Sequence, residues 1–288
     1  MAINIIIDSN YVCWVHRFAL SQGLTYRGGR TEIIYGFLRT IFDMAEKFDS
    51  SRFLFCWDAR NSLRRKIYPQ YKANRRPDDR PEEEKRQDRL AFHQFDLVRE
   101  DVLKSLGFSC IYQIEGFESD DLIAKLVKEN LFSQENVVIS SDNDLYQLLE
   151  GCCLYNISKR SLTTKDEFLR NYGLSPDKWS EIKSISGCGT DNVAGVVGIG
   201  EKTAAKYVLG SLKDGKTKQK IETEEAKKII ERNRELVHLP FASTPNLDTS
   251  QKDSFSLQKF TETFCRYGFS SFLKEDKLKI ISKRFLGK

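Results

Sequence analysis

Apolar and polar positions follow two rhythms along the first 160 residues. Short runs rich in β-branched and aromatic residues, at Ile3 to Ile7, Phe53 to Trp57, Ser109 to Tyr112, Val137 to Ser140 and Leu154 to Ile157, have the length and composition of buried strands. Between them lie longer amphipathic stretches, at about Thr31 to Phe48, Glu82 to Leu106, Ser119 to Asn130 and Asp144 to Leu149. Strands alternating with helices make βαβ units, so the pattern predicts an α/β fold in which a parallel sheet carries flanking helices. After Ser175 the strand-like runs give way to helical segments separated by glycine-rich turns, at Asp177 to Ile185, Glu201 to Leu209, Thr223 to Val237 and Ser256 to Tyr267. The change places a domain boundary near Gly173 to Pro176.

Composition narrows the class. The 288 residues are 40% hydrophobic and 30% charged, enough to bury a sizeable core. Mean hydropathy is −0.47, and no apolar run approaches the roughly 18 to 20 residues of a membrane span. The start at Met1 lacks the basic region and cleavage site of a signal peptide, so a cytoplasmic protein without membrane partners is expected. Seven cysteines without a C-x-x-C pair argue against a disulfide framework or a zinc site. Charge is uneven: eleven bases and six acids lie between Arg60 and Arg89, so this stretch alone carries +5, the net charge of the whole chain. That concentration fits a polyanion-facing element, with a solvated helix-and-loop face as the alternative.

Three apolar strands end in aspartate: Asp8 after Ile7, Asp58 after Trp57, and Asp142 just past Ile139, with Asp144 two residues on. In an open parallel sheet the C-terminal strand ends line the ligand crevice, so these acids are expected to converge. Glu118, Asp120 and Asp121 open a helix just after the third strand, Glu118 and Asp121 sharing one face. Taken singly, such acids suit turns and helix N-termini. Seven together would repel one another unless cations sat among them. Oxygen donors favour hard ions such as Mg²⁺ or Mn²⁺, and two such ions about 3.5 to 4 Å apart cleave phosphodiesters. A purely structural cluster is the competing reading.

The run from Gly187 to Ala204 has glycines closely spaced between two helices and resembles a helix-hairpin-helix, whose turns let backbone amides approach a DNA phosphate. Gly198, Gly200, Lys202, Thr203 and Lys206 are the expected duplex contacts there. In the basic segment Pro69 and Pro77 break regular structure, and tyrosines interleave with bases. Arg64, Arg65, Lys72 and Arg75 are expected to hold phosphates and Tyr71 to stack on an unpaired base, unless Tyr68 and Tyr71 are packing residues.

Asp8, Asp58, the E-x-D-D at Glu118 to Asp121, the D-x-D at Asp142 and Asp144, the P-x-Y-K-x-x-R at Pro69 to Arg75 and the glycine hairpin resemble, in order and spacing, the 5′-3′ exonuclease and flap endonuclease family. The likeness covers about residues 1 to 240. It implies a PIN-like nuclease domain at 1–175 with a helical arch at about 60–105, followed at 176–288 by a helix-three-turn-helix and a C-terminal helical region. It also implies two Mg²⁺ or Mn²⁺ ions and a K⁺ held by hairpin carbonyls, here those of Val193, Val196 and Ile199. The implied metal ligands are Asp8, Asp58, Glu118, Asp120, Asp121, Asp142, Asp144 and Asp191. Asp120 and Asp142 are the catalytic acids among them, and Lys72 and Arg75 the cations that steer the scissile phosphate.

Three departures stand out. Cys188 occupies the place of a hairpin aspartate, Ser9 that of a glycine, and Val15 that of an arginine for which Arg17 is the nearest substitute. The first predicts a looser second ion, with a thiolate or water filling the gap. The expected function is a monomeric, structure-specific 5′ nuclease acting on DNA flaps, 5′ ends and duplex junctions in a bacterial or phage-infected cytoplasm. The alternatives are a junction-binding protein with weak catalysis and an RNase H-like primer remover acting on RNA–DNA hybrids.

Overall fold

The computed structural model describes residues 3–19, 24–75, 79–131 and 134–287. Met1 and, in the basic segment, Arg76 and Pro77 lie outside the described residues. In chain order the strands are β1 (Asn4–Asp8), β2 (Thr25–Tyr26), β3 (Gly29–Arg30), β4 (Phe53–Trp57), β5 (Ile111–Gln113), β6 (Asn136–Ile139), β7 (Cys153–Asn156), β8 (Ser161–Thr163), β9 (Gly187–Cys188) and β10 (Val193–Ala194).

The main sheet runs in the order β5-β4-β1-β6-β7-β8. β1 pairs in parallel with β4 on one side and β6 on the other, placing Ile6 opposite both Leu54 and Val138. The chain thus builds outward from β1 through β4 and β5, then crosses to the other side with β6. That reversal makes the C-terminal ends of β1, β4 and β6 a topological switch point, the place where open parallel sheets receive ligands. The expectation of a parallel sheet needs one correction. β8 closes the edge antiparallel to β7, with Tyr155 opposite Leu162. Its three residues, two of them exposed, and joined to β7 by a turn with Arg160 at φ 53°, carry too little apolar pattern to read as a strand.

The helices are α1 (Ser9–Ala19), α2 (Glu32–Lys47), α3 (Arg64–Ile67), α4 (Glu82–Leu97), α5 (Leu103–Leu106), α6 (Ser119–Lys125), α7 (Lys165–Tyr172), α8 (Trp179–Ser186), α9 (Glu201–Val208), α10 (Lys216–Glu222), α11 (Glu224–Val237), α12 (Leu257–Tyr267) and α13 (Glu275–Ile281). α1 is unforeseen because it follows β1 without a linker. The strand-end acid itself starts it, Asp8 Oδ1 accepting the Tyr11 amide at 3.2 Å.

Side chains alternate across β1, sending Ile5 and Ile7 to one face and Ile6 to the other. The first face, with Phe53, Phe55 and Trp57, packs against α2 and α4 and receives Phe260, Phe264, Phe272 and Phe285 from the C-terminal helices. The second face, with Leu54 and Val138, joins Ile123 of α6, Ile182 of α8, Ala204 of α9 and Ala226 of α11. Gly173, near which the sequence places a boundary, ends α7 with φ 70°. Beyond it the chain serves both faces: α8, α9 and α11 on one, α12 and α13 on the other.

Candidate metal centre

β1, β4 and β6 deliver Asp8, Asp58 and Asp142 to the switch point, and the first turn of α6 brings its acids against them. Ser119 ties two strands together, its amide donating to Asp58 Oδ1 at 2.8 Å and its hydroxyl to Asp8 Oδ1 at 3.3 Å. The Ser140 hydroxyl donates to Asp8 Oδ2 at 2.9 Å and accepts the Asp142 amide at 3.2 Å. Sequence reasoning singles out neither serine; adjacency to the acids is their only signal.

Removal from water acts on these carboxylates with nothing to offset it fully. Burial, then repulsion from Asp58, pushes Asp8 up to about 7. Burial is also the leading cause for Asp58, partly offset by Lys72. Asp120 is driven well above the carboxylate range by burial and by Asp142 and Asp8. Asp142 exposes surface to solvent, yet loss of water around its carboxyl and repulsion from Asp144 raise it to about 6.

A second set of acids is already matched by protein cations. Asp121, expected as a metal ligand, is fully buried and saturated: Oδ1 accepts from Arg64 Nη2 at 2.7 Å and the Phe241 amide at 2.9 Å, while Oδ2 accepts from Arg64 Nη1 at 2.7 Å and the Glu118 amide at 3.0 Å. No lone pair remains for an ion. Arg64, expected to hold DNA phosphate, is correspondingly 2% exposed and also donates to the Leu236 carbonyl. Tyr71 is corrected in the same way. It is 2% exposed, packs on Val193 and Leu236, and its hydroxyl lies 2.9 Å from both Glu118 Oε2 and Asp191 Oδ2, so its ring has no face for a base.

Glu118 bonds Lys72 Nζ at 2.7 Å. Burial alone would raise it, but Lys72 and Arg64 outweigh burial and hold it down at about 2. Lys72 adopts φ 54°, a left-handed conformation fixed by its amide donating to the Asp191 carbonyl at 2.8 Å. Arg75 reaches Asp191 Oδ1 at 2.5 Å, and Asn192 Nδ2 donates to the Gln70 carbonyl. The basic segment at 64–75, α3 and the turn after it, is therefore clamped onto the β9–β10 hairpin, while Arg65 and half of Arg75 face solvent.

In the hairpin, Cys188 is buried with its Sγ 3.4 Å from Asp144 Oδ2 and 3.1 Å from Thr190 Oγ1. Asp144, Cys188 and Asp191 offer donor atoms within 4.8 Å of one another. Lys183, which sequence reasoning missed, stands 3.0 Å from Asp144 Oδ1 and 3.0 Å from Glu201 Oε1. Only its position on α8 offered a signal, since Asp144 and Glu201 are remote in the chain. Arg17 turns away, pairing with Asp88 of α4 and lying over the Trp14 ring.

Gly187 is obligatory: at φ 76° an added Cβ would meet Val193 O at 2.4 Å. Gly200 has nothing within 4 Å, leaving an open approach to the N-terminus of α9, where Lys202 and Lys206 are exposed and Thr203 half-buried. Gly198 likewise meets only Lys220 Nζ, at 3.9 Å. Val193, Val196 and Ile199 are buried beneath, and the Val196 carbonyl accepts the Ile199 amide at 3.0 Å.

Against known proteins, the model of a family described as 5′-3′ exonuclease, N-terminal resolvase-like domain matches residues 4–173. The chain is 32% identical over 214 residues to the thermostable DNA polymerase I of Thermus thermophilus, covering 73% of this chain and 24% of that protein. It is 31% identical over 265 residues to DNA polymerase I of Mycobacterium tuberculosis, covering 84% and 28%. The chain thus spans about a quarter of the length of these curated relatives. In fold it is similar to the T5 5′-exonuclease with zinc ions bound, with a TM-score of 0.70 and 21% identity over 99% of this chain and 98% of that one.

Proposed function

The chain belongs to the 5′-3′ exonuclease, N-terminal resolvase-like domain family, and on that premise we propose that it hydrolyses DNA phosphodiesters at 5′ ends and flaps with divalent metal ions. The observation that carries this is the group of Asp8, Asp58, Asp120 and Asp142 at the switch point, whose charge the surrounding protein leaves largely unmatched. An all-oxygen donor set of this kind fits Mg²⁺ or Mn²⁺. Bound there, such an ion supplies an activated water and stabilises the leaving oxygen.

The chain's own residues do the rest. Ser119 and Ser140 fix the direction of the Asp8 and Asp58 carboxylates. Lys72 and Arg75, paired with Glu118 and Asp191, stand at the crevice and offer charge to a phosphate entering it. The open side of Gly198 and Gly200, with Lys202 and Lys206, is read as the surface for duplex backbone, and hairpin carbonyls as a K⁺ position. Among the described residues no helix is long and apolar enough to cross a membrane.

The test is cleavage of an end-labelled 5′-flap duplex with Mg²⁺, beside an RNA–DNA hybrid and an EDTA control. Release of the flap only with metal supports the reading. Tight junction binding without cleavage under Mg²⁺ or Mn²⁺ replaces it with a binding protein.

A further inference from the structure

We infer that Asn10 is a substrate contact: its side-chain amide nitrogen donates to a non-bridging oxygen of a DNA backbone phosphate drawn into the crevice. The inference rests on the reading of this crevice as a nuclease site, and it adds an uncharged donor to the cations already placed there.

The strand register sets its position. β1 runs beside β4 as far as Asp8, which lies opposite Cys56. Two residues further on, one chain has reached Asp58 while the other has turned into α1, and a side chain continues the ladder: Asn10 Oδ1 accepts the Asp58 amide at 3.0 Å. Gln113 Nε2 donates to the Asp58 carbonyl at 2.8 Å, so the main chain of this acid is held at both ends. Because a main-chain N–H only donates, it also decides which end of the Asn10 amide is oxygen. The Nδ2 end is left over at the C-terminal rim between β1 and β4, where open parallel sheets receive ligands. Asn10 is half-buried, and among the described residues no group accepts from that nitrogen.

The surroundings select a phosphate as the acceptor. The neighbouring carboxylates already have donors: Asp8 accepts from Tyr11, Ser119 and Ser140, and Asp58 Oδ1 from the Ser119 amide. The crevice cations are engaged too, Lys72 with Glu118 and Arg75 with Asp191. An uncharged amide is not pulled onto the acids as they are, so its N–H groups stay open to an incoming ligand. A base edge offers neutral acceptors, whereas a phosphate oxygen is charged and makes the shorter, stronger bond. Phosphate is also the part of DNA that divalent ions among Asp8, Asp58, Asp120 and Asp142 would draw to this rim. With Oδ1 already fixed, the amide gives up little rotamer freedom on making the bond.

The test compares the full chain with Asn10→Asp, which keeps an oxygen for the Asp58 amide and puts an anion in place of the donor. Both are measured on 5′ flaps that each carry one neutral methylphosphonate linkage near the junction, by single-turnover cleavage with Mg²⁺ and by binding with Ca²⁺. On the all-phosphate flap Asn10→Asp should lose about ten- to a hundredfold, the range of a hydrogen bond to a charged group. At one linkage the two proteins should come within about threefold of each other, because the charge that Asn10 meets is gone there; at the other linkages the gap should persist. Asn10→Ala, read the same way, covers the case in which Asn10→Asp does not fold. Wild-type behaviour of the variants, or a loss of the same size at every linkage, overturns the inference and leaves Asn10 only its bond to Asp58. Cleavage without linkage-specific coupling sinks the phosphate contact alone, and coupling in binding without cleavage under any ion sinks the nuclease reading alone.

Discussion

On the sheet side of the crevice, burial and repulsion from neighbouring carboxyls raise Asp8, Asp58, Asp120 and Asp142. On the hairpin side, Glu118, Asp121, Asp144 and Asp191 each touch a lysine or arginine, and Glu118 is held down at about 2. The residue types are the same and the surroundings opposite. Charge that the protein answers itself goes into holding loops and helices together. Charge left unanswered is what the proposed divalent ions would meet.

The sharpest way to break this contrast is Asp120→Asn. It should lower Mg²⁺-dependent cleavage of a 5′ flap by about a thousandfold or more, since losing a metal removes several kcal/mol of transition-state stabilisation. Stability in EDTA should hold or rise, because one repelling charge is gone. Single-turnover kinetics and melting of the stripped protein check both halves; wild-type turnover would remove Asp120 from the metal group.

Arg64→Ala tests the other side. Removing one partner of a fully buried, bidentate pair leaves Asp121 uncompensated and should cost about 3 to 5 kcal/mol in denaturant unfolding. A loss below 1 kcal/mol would mean that the pair does not hold the crevice together.

Stability against pH should separate the two halves without any mutation. Asp8 titrates near 7 in the fold against an ordinary 3.8, so between these values the folded state keeps a proton that the unfolded chain releases. Metal-free stability therefore falls by a few kcal/mol as pH rises from about 4 to about 7, then levels. Glu118 has the opposite sign. Its contribution is present above its ordinary 4.5 and is lost as pH falls toward about 2. Saturating Mg²⁺ should abolish the fall at rising pH and leave the acid limb, as read by melting temperature with and without EDTA.

The smallest effect lies outside the crevice. Lys202→Ala and Lys206→Ala should each reduce the salt slope of duplex binding by about one unit. Lys72→Ala should change that slope less, because its ammonium already bonds Glu118. Equal slopes for all three would place Lys72 among ordinary backbone contacts.

What the sequence made legible is what local pattern encodes. The strands ending in Asp8, Asp58 and Asp142 are apolar runs closed by an acid, and the parallel arrangement alone brings those acids together. Asp120 and Asp121 could not be told apart. They are neighbours in one helical turn, and their separate fates depend on Arg64 and Phe241, far away in the chain. Tyr71 reads as a base-stacking residue because it sits among cations, whereas its burial comes from the hairpin and α11 closing over it. Cys188 is visible only as a departure from a family pattern, and the direction of its sulfur needed the β9–β10 register. β8 and α1 escaped because one is three residues long and the other lacks a preceding turn.

The aromatic core on the first face of the sheet also sets a clock. Phe285 lies 6.0 Å from the Phe42 ring and 6.2 Å from Phe53, across roughly 230 residues of chain. At about 5 to 20 residues per second, a ribosome takes roughly 10 to 50 s to travel from the earlier rings to the last one. Until then α2 and β4 keep apolar surface bare to water, whatever the state of the helices already made. Through that interval the strands that carry Asp8 and Asp58 lack the aromatic cover that Phe260, Phe264 and Phe285 give the first face of the sheet.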